Sequence, residues 1–127
     1  MLLPLLEIEI EIRQTKGARP VVRIAFAGVG GDGSDGNHHG VQMRDAVRQV
    51  VEREAPCGLI IDLRHLDYQF GNWIGMIVQR TGCRMCMVAE ERTLECLRPL
   101  WEVDGPGKIV PLLETLAQAE EFVRSAE

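Results

Sequence analysis

One stretch of the chain constrains the fold more than any other: an apolar strand that leads through a short polar turn into an apolar helix. Leu59–Leu63 is rich in large aliphatic residues, as expected for a short strand buried in a sheet. The residues from Asn72 to Val78 are apolar almost all round and predict the start of a buried helix. Such a junction leaves backbone N–H groups unpaired at the helix N-terminus, where an anion or a partner can dock.

Two further strands are predicted before this junction. Glu7–Arg13 alternates strictly between charged and isoleucine residues, which predicts a strand with one solvent-facing side. Val21–Ala27 predicts a second strand, and the turn residues between the two favour an antiparallel hairpin.

Helices and strands alternate after the hairpin. The other predicted elements are a helix at Val41–Glu54, a strand around Cys86, a helix at Glu90–Trp101, a strand at Lys108–Leu113 and a helix that follows Thr115. Pro99 is expected to distort or end its helix, and Thr115 and Gln118 have the spacing of a capping box. The order predicts one α/β domain over residues 1–127, with a mostly parallel central sheet, an N-terminal β-hairpin and about four helices.

Gly28–Gly40 is rich in glycine and aspartate and is predicted to be a loop. Its spacing is that of neither a phosphate-binding loop nor a calcium loop. Asp32, Asp35, His38 and His39 form a candidate ligand site there, since histidine and carboxylate groups can hold a transition metal. A mobile, solvated loop is favoured over a ligand site, because glycine-rich segments are costly to order.

Composition excludes several classes of function. The net charge of −5 and the pI near 5.2 argue against nucleic-acid binding, which needs a basic surface. No apolar run approaches the roughly 20 residues that span a bilayer, and Met1–Leu6 lacks the basic residues of a signal peptide. We therefore expect a cytoplasmic protein that binds neither nucleic acid nor membrane.

The cysteines are interpreted as reduced structural residues. Cys83 and Cys86 have the spacing of a redox or zinc motif, but they fall on a predicted strand. Residues three apart on a strand point to opposite faces, so their sulfur atoms could not share a metal. No metal and no cofactor is predicted.

The sequence contains no convincing catalytic constellation. The serines and threonines lack a Gly-x-Ser-x-Gly pattern or an adjacent base. Asp62, His65 and Asp67 lie close together at a predicted strand end, where a polar surface cluster is the commoner explanation. We therefore expect a protein that is not an enzyme.

Residues along most of the chain resemble the STAS domain, the fold of anti-sigma factor antagonists and of sulfate-transporter tails. Asp62, Leu63 and Leu66 match the family's apolar strand followed by Asp-Leu-x-x-Leu, and Gly75 matches the small residue of its helix. Leu94–Gly105 is similar to the family's helix that ends in Leu-x-x-x-Gly, and Thr115-Leu116-Ala117-Gln118-Ala119 resembles its closing Thr-Leu-x-x-Ala. The resemblance implies a protein-interaction module that binds a regulatory protein, such as an anti-sigma factor kinase.

The chain departs from the family at the turn that follows the strand. Phe70, Gly71, Asn72 and Trp73 stand where the family has Asp-Ser-Ser-Gly. In the family, a serine of this turn accepts phosphate from the partner kinase, and the modification releases the partner. Gly71 replaces that serine, so phosphorylation at this turn is excluded and the implied partner binding lacks a phosphoserine switch.

Tyr68, Phe70, Gly71, Asn72 and Trp73 are therefore the predicted partner-binding residues, since exposed aromatic side chains dominate protein interfaces. The alternative for Trp73 is that it packs beneath the edge of the sheet, because large aromatic residues are mostly buried. Asn72 is also a good candidate for a helix N-cap.

Two other classes of function remain open. A small enzyme of the crotonase or Clp type could use Gly71 and Asn72 as an oxyanion hole at the helix N-terminus. A structural subunit could form a homodimer or larger oligomer through the edge of the first hairpin or through Met1–Leu6.

Overall fold

The structure is a computed structural model that describes residues 5–30, 33–67, 83–103 and 110–125, and the side chains of residues 33–37 and 100–103 lie outside that description. Within these residues there are five strands and three helices, which we number in chain order. They are β1 (Glu7–Arg13), β2 (Val21–Val29), α1 (Gly33–Glu54), β3 (Gly58–Asp67), β4 (Arg84–Val88), α2 (Glu91–Val103), β5 (Leu112–Leu113) and α3 (Leu116–Arg124). The helix predicted from Asn72 lies outside the described residues.

The five strands form one sheet in the order β1-β2-β3-β4-β5. β1 and β2 are antiparallel, with Ile10 opposite Ile24, and each later neighbour pairs in parallel. The predicted hairpin and the predicted mostly parallel sheet are both confirmed.

Helices cover both faces of this sheet. α1 and α2 pack on one face, where Met43, Val47 and Leu94 join a core with Ile24 and Ile61. α3 packs on the opposite face, where its buried Ala119 and Val123 contact a smaller cluster that includes Ile60, Cys86 and Val88. Crossovers of one hand between consecutive neighbouring strands place their helices on the same face, which explains why α1 and α2 lie together.

The predicted capping box at the start of α3 is confirmed. The Thr115 hydroxyl accepts a hydrogen bond from the Gln118 backbone N–H at 3.1 Å. The Gln118 side-chain oxygen accepts one from the Thr115 backbone N–H, also at 3.1 Å. These bonds satisfy backbone groups that the first turn of a helix would otherwise leave unpaired.

The predicted loop at Gly28–Gly40 is wrong for most of its length. β2 continues to Val29, and α1 already begins at Gly33, so residues 33–40 are helical. His39 and Met43 are fully buried one helical turn apart, and Val47 continues the same stripe. Packing of this stripe against the sheet outweighs the low helix propensity of the glycines, which is what misled the sequence prediction.

The prediction for Pro99 is also wrong in part, because α2 continues past it to Val103. Pro99 is on the exposed side of α2, while Leu94 and Leu97 anchor the other side in the core. A proline there removes one N–H from the helix without disturbing the packed face.

The last strand is shorter than predicted and consists of Leu112–Leu113 alone. Pro111 precedes it and has no N–H to donate, which limits how far the pairing can extend. The Pro111 carbonyl still accepts a hydrogen bond from Met87 N at 3.0 Å. Residues 104–109, which include part of the predicted strand, lie outside the described residues.

Candidate functional site at the carboxyl end of β3

β3 contains a bulge where the predicted strand was expected to end. Ala25 of β2 pairs with Asp62 and Ala27 pairs with His65, so Leu63 and Arg64 together oppose Phe26. A bulge of this kind interrupts the hydrogen-bond ladder between the strands. The Asp62 side chain compensates, because its Oδ1 accepts a hydrogen bond from the Arg64 backbone N–H at 3.1 Å.

The bulge explains the spacing Asp62-Leu63-x-x-Leu66. Residues three apart on a regular strand face opposite sides of the sheet. Leu63 and Leu66 nevertheless both lie in the core between the sheet and α1 and α2. The extra residue shifts the alternation, so that β3 continues to Asp67 with His65 and Asp67 exposed. The prediction that the strand ends at Leu63 is therefore wrong.

Asp62 is the centre of a buried ion-pair cluster that the sequence analysis missed. Its side chain is 1% exposed and receives Arg64 Nε on Oδ1 at 2.9 Å and Arg64 Nη2 on Oδ2 at 2.8 Å. Arg23 Nη1 donates to the same Oδ2 at 2.9 Å. Arg23 also contacts Glu9 at 2.9 Å and Glu11 at 3.5 Å, so the cluster crosses β1, β2 and β3. The predicted antiparallel hairpin carried part of the signal, because pairing of its two strands places Glu11 opposite Arg23.

The cluster holds Asp62 in its charged form. Burial alone raises the pKa of this carboxyl group, but hydrogen bonds from Arg64 and Arg23 lower it more, and the net pKa lies below 3.8. A carboxylate with this environment is unsuited to donate or accept protons near neutral pH. Its role is to join three strands and to hold the bulge.

A shallow depression of about 270 Å³ lies where β3 ends and α2 begins. His65 and Asp67 line it from the strand, and Arg92 and Thr93 line it from the first turn of α2. Asp67 and Arg92 form an ion pair at 3.5 Å, and the Asp67 carbonyl accepts a hydrogen bond from Gly30 N at 2.8 Å. The carboxyl ends of parallel strands are where sheets of this type commonly bind their ligands.

The predicted partner-binding residues come directly after this depression in the chain. Tyr68, Phe70, Gly71, Asn72 and Trp73 follow Asp67 and lie outside the described residues.

Three of the four candidate ligand residues of the glycine-rich segment, Asp35, His38 and His39, belong to α1 and not to a loop. Asp32 lies outside the described residues, and Asp35 belongs to the first turn of α1. His38 is exposed, whereas His39 is fully buried, and their ring centroids are 6.4 Å apart. In the described parts of the chain, no three histidine, cysteine or acidic side chains are grouped as a metal site would require.

The cysteines follow the predicted arrangement where the structure describes them. None of the four cysteines forms a disulfide bond. Cys83 packs against the core on the α1 and α2 face, while Cys86 belongs to the cluster beneath α3. Burial and the negative charge of Glu120 raise the pKa of the Cys86 thiol to about 12, which makes it a poor nucleophile.

The fold is shared with solved structures of bacterial regulators. An anti-sigma factor antagonist from Mycobacterium paratuberculosis superposes with a TM-score of 0.62 at 19% identity, over 93% of this chain and 95% of that one. SpoIIAA, a cell fate determinant of Bacillus in its phosphorylated form, superposes with a TM-score of 0.55 at 16% identity, over 89% of this chain and 97% of that one. The chain has a STAS-like fold.

The sequence of this STAS-like domain is divergent. No protein-family profile matches it, and no curated protein sequence is significantly similar to it. Within the described residues, none of the helices is long and apolar enough to cross a membrane.

Proposed function

We propose that this STAS-like domain is a non-catalytic, cytoplasmic interaction module that binds a regulatory protein such as an anti-sigma factor kinase. The observation that carries the proposal is the fold, which is shared with an anti-sigma factor antagonist over nearly the whole length of both chains. The binding surface that we propose is the end of β3, formed by His65, Asp67 and Arg92 and by residues 68–73. We call it the β3-end surface.

The chemistry of the β3-end surface suits a protein partner. The side chains of His65, Asp67 and Arg92 are exposed and polar, as is typical of the rim of an interface. Phe70 and Trp73 would supply the large apolar anchors on which most binding energy depends.

The binding would lack a phosphoserine switch. Gly71 has no hydroxyl group, and neither Phe70 nor Asn72 beside it can accept a phosphoryl group. A partner kinase would therefore bind and stay bound in the presence of ATP.

Calorimetric titration with a purified anti-sigma factor from the same organism tests the proposal. We expect Trp73→Ala to weaken binding by more than about tenfold, as for a central aromatic anchor. Lys16→Ala is the matched control, because this exposed residue lies in the turn between β1 and β2, at the opposite end of the parallel strands. We expect that control, and the addition of ATP, to leave the affinity unchanged. Absence of binding, or release by ATP, would contradict the proposal.

A further inference from the structure

β1 is an edge strand whose isoleucine side chains lie on one face of the sheet and whose charged side chains lie on the other. Among the residues that the structure describes, β1 has β2 on one side and no neighbouring strand on the other, so one row of its backbone hydrogen-bonding groups faces outward. Ile8, Ile10 and Ile12 lie on the face that carries α1, yet they are 39%, 46% and 43% exposed. This apolar row therefore extends beyond the part of the sheet that α1, α2 and α3 cover.

Two common devices that protect edge strands, a proline and a β-bulge, are missing from β1. It contains no lysine and no proline, and its seven residues pair with β2 without a bulge. Its charged residues are confined to one face, where Glu9 and Glu11 contact Arg23 and Arg13 contacts Glu120 at 3.0 Å. The charges therefore do not block the approach of another strand from the side.

We propose that the outer edge of β1 pairs with β1 of a second copy of this chain, in an antiparallel arrangement centred on Ile10. This register overlaps all seven residues of each strand. It places Glu7 opposite the partner's Arg13, and Ile8 opposite the partner's Ile12. Opposite charges and β-branched residues directly across two antiparallel strands are favourable pairs.

The remaining pairs in this register are compatible with dimerisation. Glu9 faces the partner's Glu11, but each of these carboxylates already contacts Arg23 of its own chain. Arg13 can keep its contact with Glu120 while it approaches Glu7 of the other copy, because a guanidinium group has five N–H donors. If one copy of β1 slid by two residues along the other, fewer residues of the two strands would pair. If it slid by one residue, isoleucine side chains would lie opposite glutamate side chains.

The dimer would join two sheets into one continuous sheet. The isoleucine rows of the two copies would then meet on one face and shield each other from water. β2 separates β1 from β3, so the β3-end surface stays open in both copies. Two short strands make a small interface, so we expect a weak dimer whose population depends on concentration.

Sedimentation equilibrium of the full chain, from low micromolar to submillimolar concentration, tests the proposal. We expect a reversible monomer–dimer equilibrium. Ile10→Lys should abolish the dimer, because it places two ammonium groups on the symmetry axis. Glu95→Lys is the matched control, since Glu95 is exposed on α2, which links β4 and β5 at the opposite edge of the sheet from β1, and it should leave the equilibrium unchanged.

A charge exchange tests the register itself. Glu7→Arg should weaken the dimer about tenfold, because two favourable pairs become two unfavourable ones. Adding Arg13→Glu to that variant restores the opposite charges and should recover the dimer. Circular dichroism measures whether each variant is folded. If Ile10→Lys unfolds the chain, Glu7→Arg still tests the dimer, because Glu7 is exposed and its substitution should leave the fold intact.

Three results would overturn the proposal. The first is a wild-type chain that stays monomeric at every concentration, which would leave this edge to solvent or to a strand of another protein. The second is a dimer that Ile10→Lys and Glu7→Arg do not weaken. The third is a double variant that dimerises no better than Glu7→Arg alone.

Discussion

Arg64 and Asp62 lie two residues apart on β3 and are joined by three hydrogen bonds. Two run from the guanidinium group of Arg64 to the two carboxylate oxygens, at 2.9 and 2.8 Å. The third runs from the Arg64 backbone N–H to the same carboxylate at 3.1 Å. The pair therefore fixes the bulge that turns His65 and Asp67 toward solvent.

Removal of the Asp62 carboxylate should destabilise the domain strongly. We expect Asp62→Ala to lower the free energy of unfolding by about 3 kcal/mol, because Arg23 and Arg64 lose their shared partner and the bulge loses its side-chain hydrogen bond. Urea denaturation measures the change. Asp45→Ala is the control, since this half-exposed carboxylate pairs with the neighbouring Arg44 at 3.3 Å, and its effect should stay within about 0.5 kcal/mol. Equal effects of the two substitutions would contradict the role of Asp62.

The same carboxylate should make stability depend on acidic pH. The pKa of Asp62 in the folded protein lies below its ordinary value of 3.8, so the unfolded chain takes up this proton first as the pH falls. The contribution of Asp62 is complete above about pH 4 and is lost as the pH drops through its lowered pKa. We expect the free energy of unfolding to fall less between pH 5 and pH 3 in Asp62→Asn than in the wild type. Parallel pH profiles would exclude this linkage.

Gly58 allows α3 to approach β3 closely. A Cβ atom at Gly58 would lie 2.8 Å from Val123 Cβ and 3.3 Å from Val21 Cγ2, too close for either side chain to stay in place. We expect Gly58→Ala to cost about 1–3 kcal/mol in thermal or urea unfolding. The control is Gly17→Ala, whose new Cβ would meet Thr15 Oγ1 at an ordinary 3.7 Å. Val123→Gly removes the contacting Cβ atom, so it should cost less in the Gly58→Ala background than alone, and strict additivity would argue against the close approach.

Gly71 should decide whether the proposed partner can be released by phosphorylation. We expect Gly71→Ser to acquire a phosphate from a partner kinase and ATP, since the resemblance to the STAS family implies a phosphorylatable serine at this position. Intact-protein mass spectrometry measures the modification, and calorimetry measures the accompanying loss of affinity. Gly75→Ser is the control, because it adds the same hydroxyl group elsewhere in the predicted helix. Phosphorylation of the wild-type chain at this turn would contradict the account.

The architecture could be predicted because its signals are periodic. The alternation of Glu7–Arg13 predicted the first strand, and its register with β2 is regular over its whole length. The capping box at Thr115 was also predictable, since it depends on residues only three apart. These features are local, so the sequence alone carries them.

The features that escaped prediction depend on contacts between distant residues. The first turns of α1 contain several glycines, and they are helical because His39 is buried in line with Met43 and Val47, which pack against the sheet. The bulge in β3 was missed because a change in strand alternation looks like a strand end in the sequence. The buried state of Asp62 depends on Arg23 from another strand, 39 residues away in the sequence. The sequence therefore indicated a polar cluster at Asp62, His65 and Asp67 but did not reveal the ion pairs that bury Asp62.

Binding of a regulatory protein at the β3-end surface can be mapped residue by residue. The experiment is a titration of the isotope-labelled chain with a purified anti-sigma factor from the same organism, followed by amide chemical shifts. We expect shifts concentrated at His65–Asp67, at residues 68–73 and at the start of α2, with α3 unchanged. Shifts confined to α3, or no shifts at saturating partner, would contradict binding at this surface.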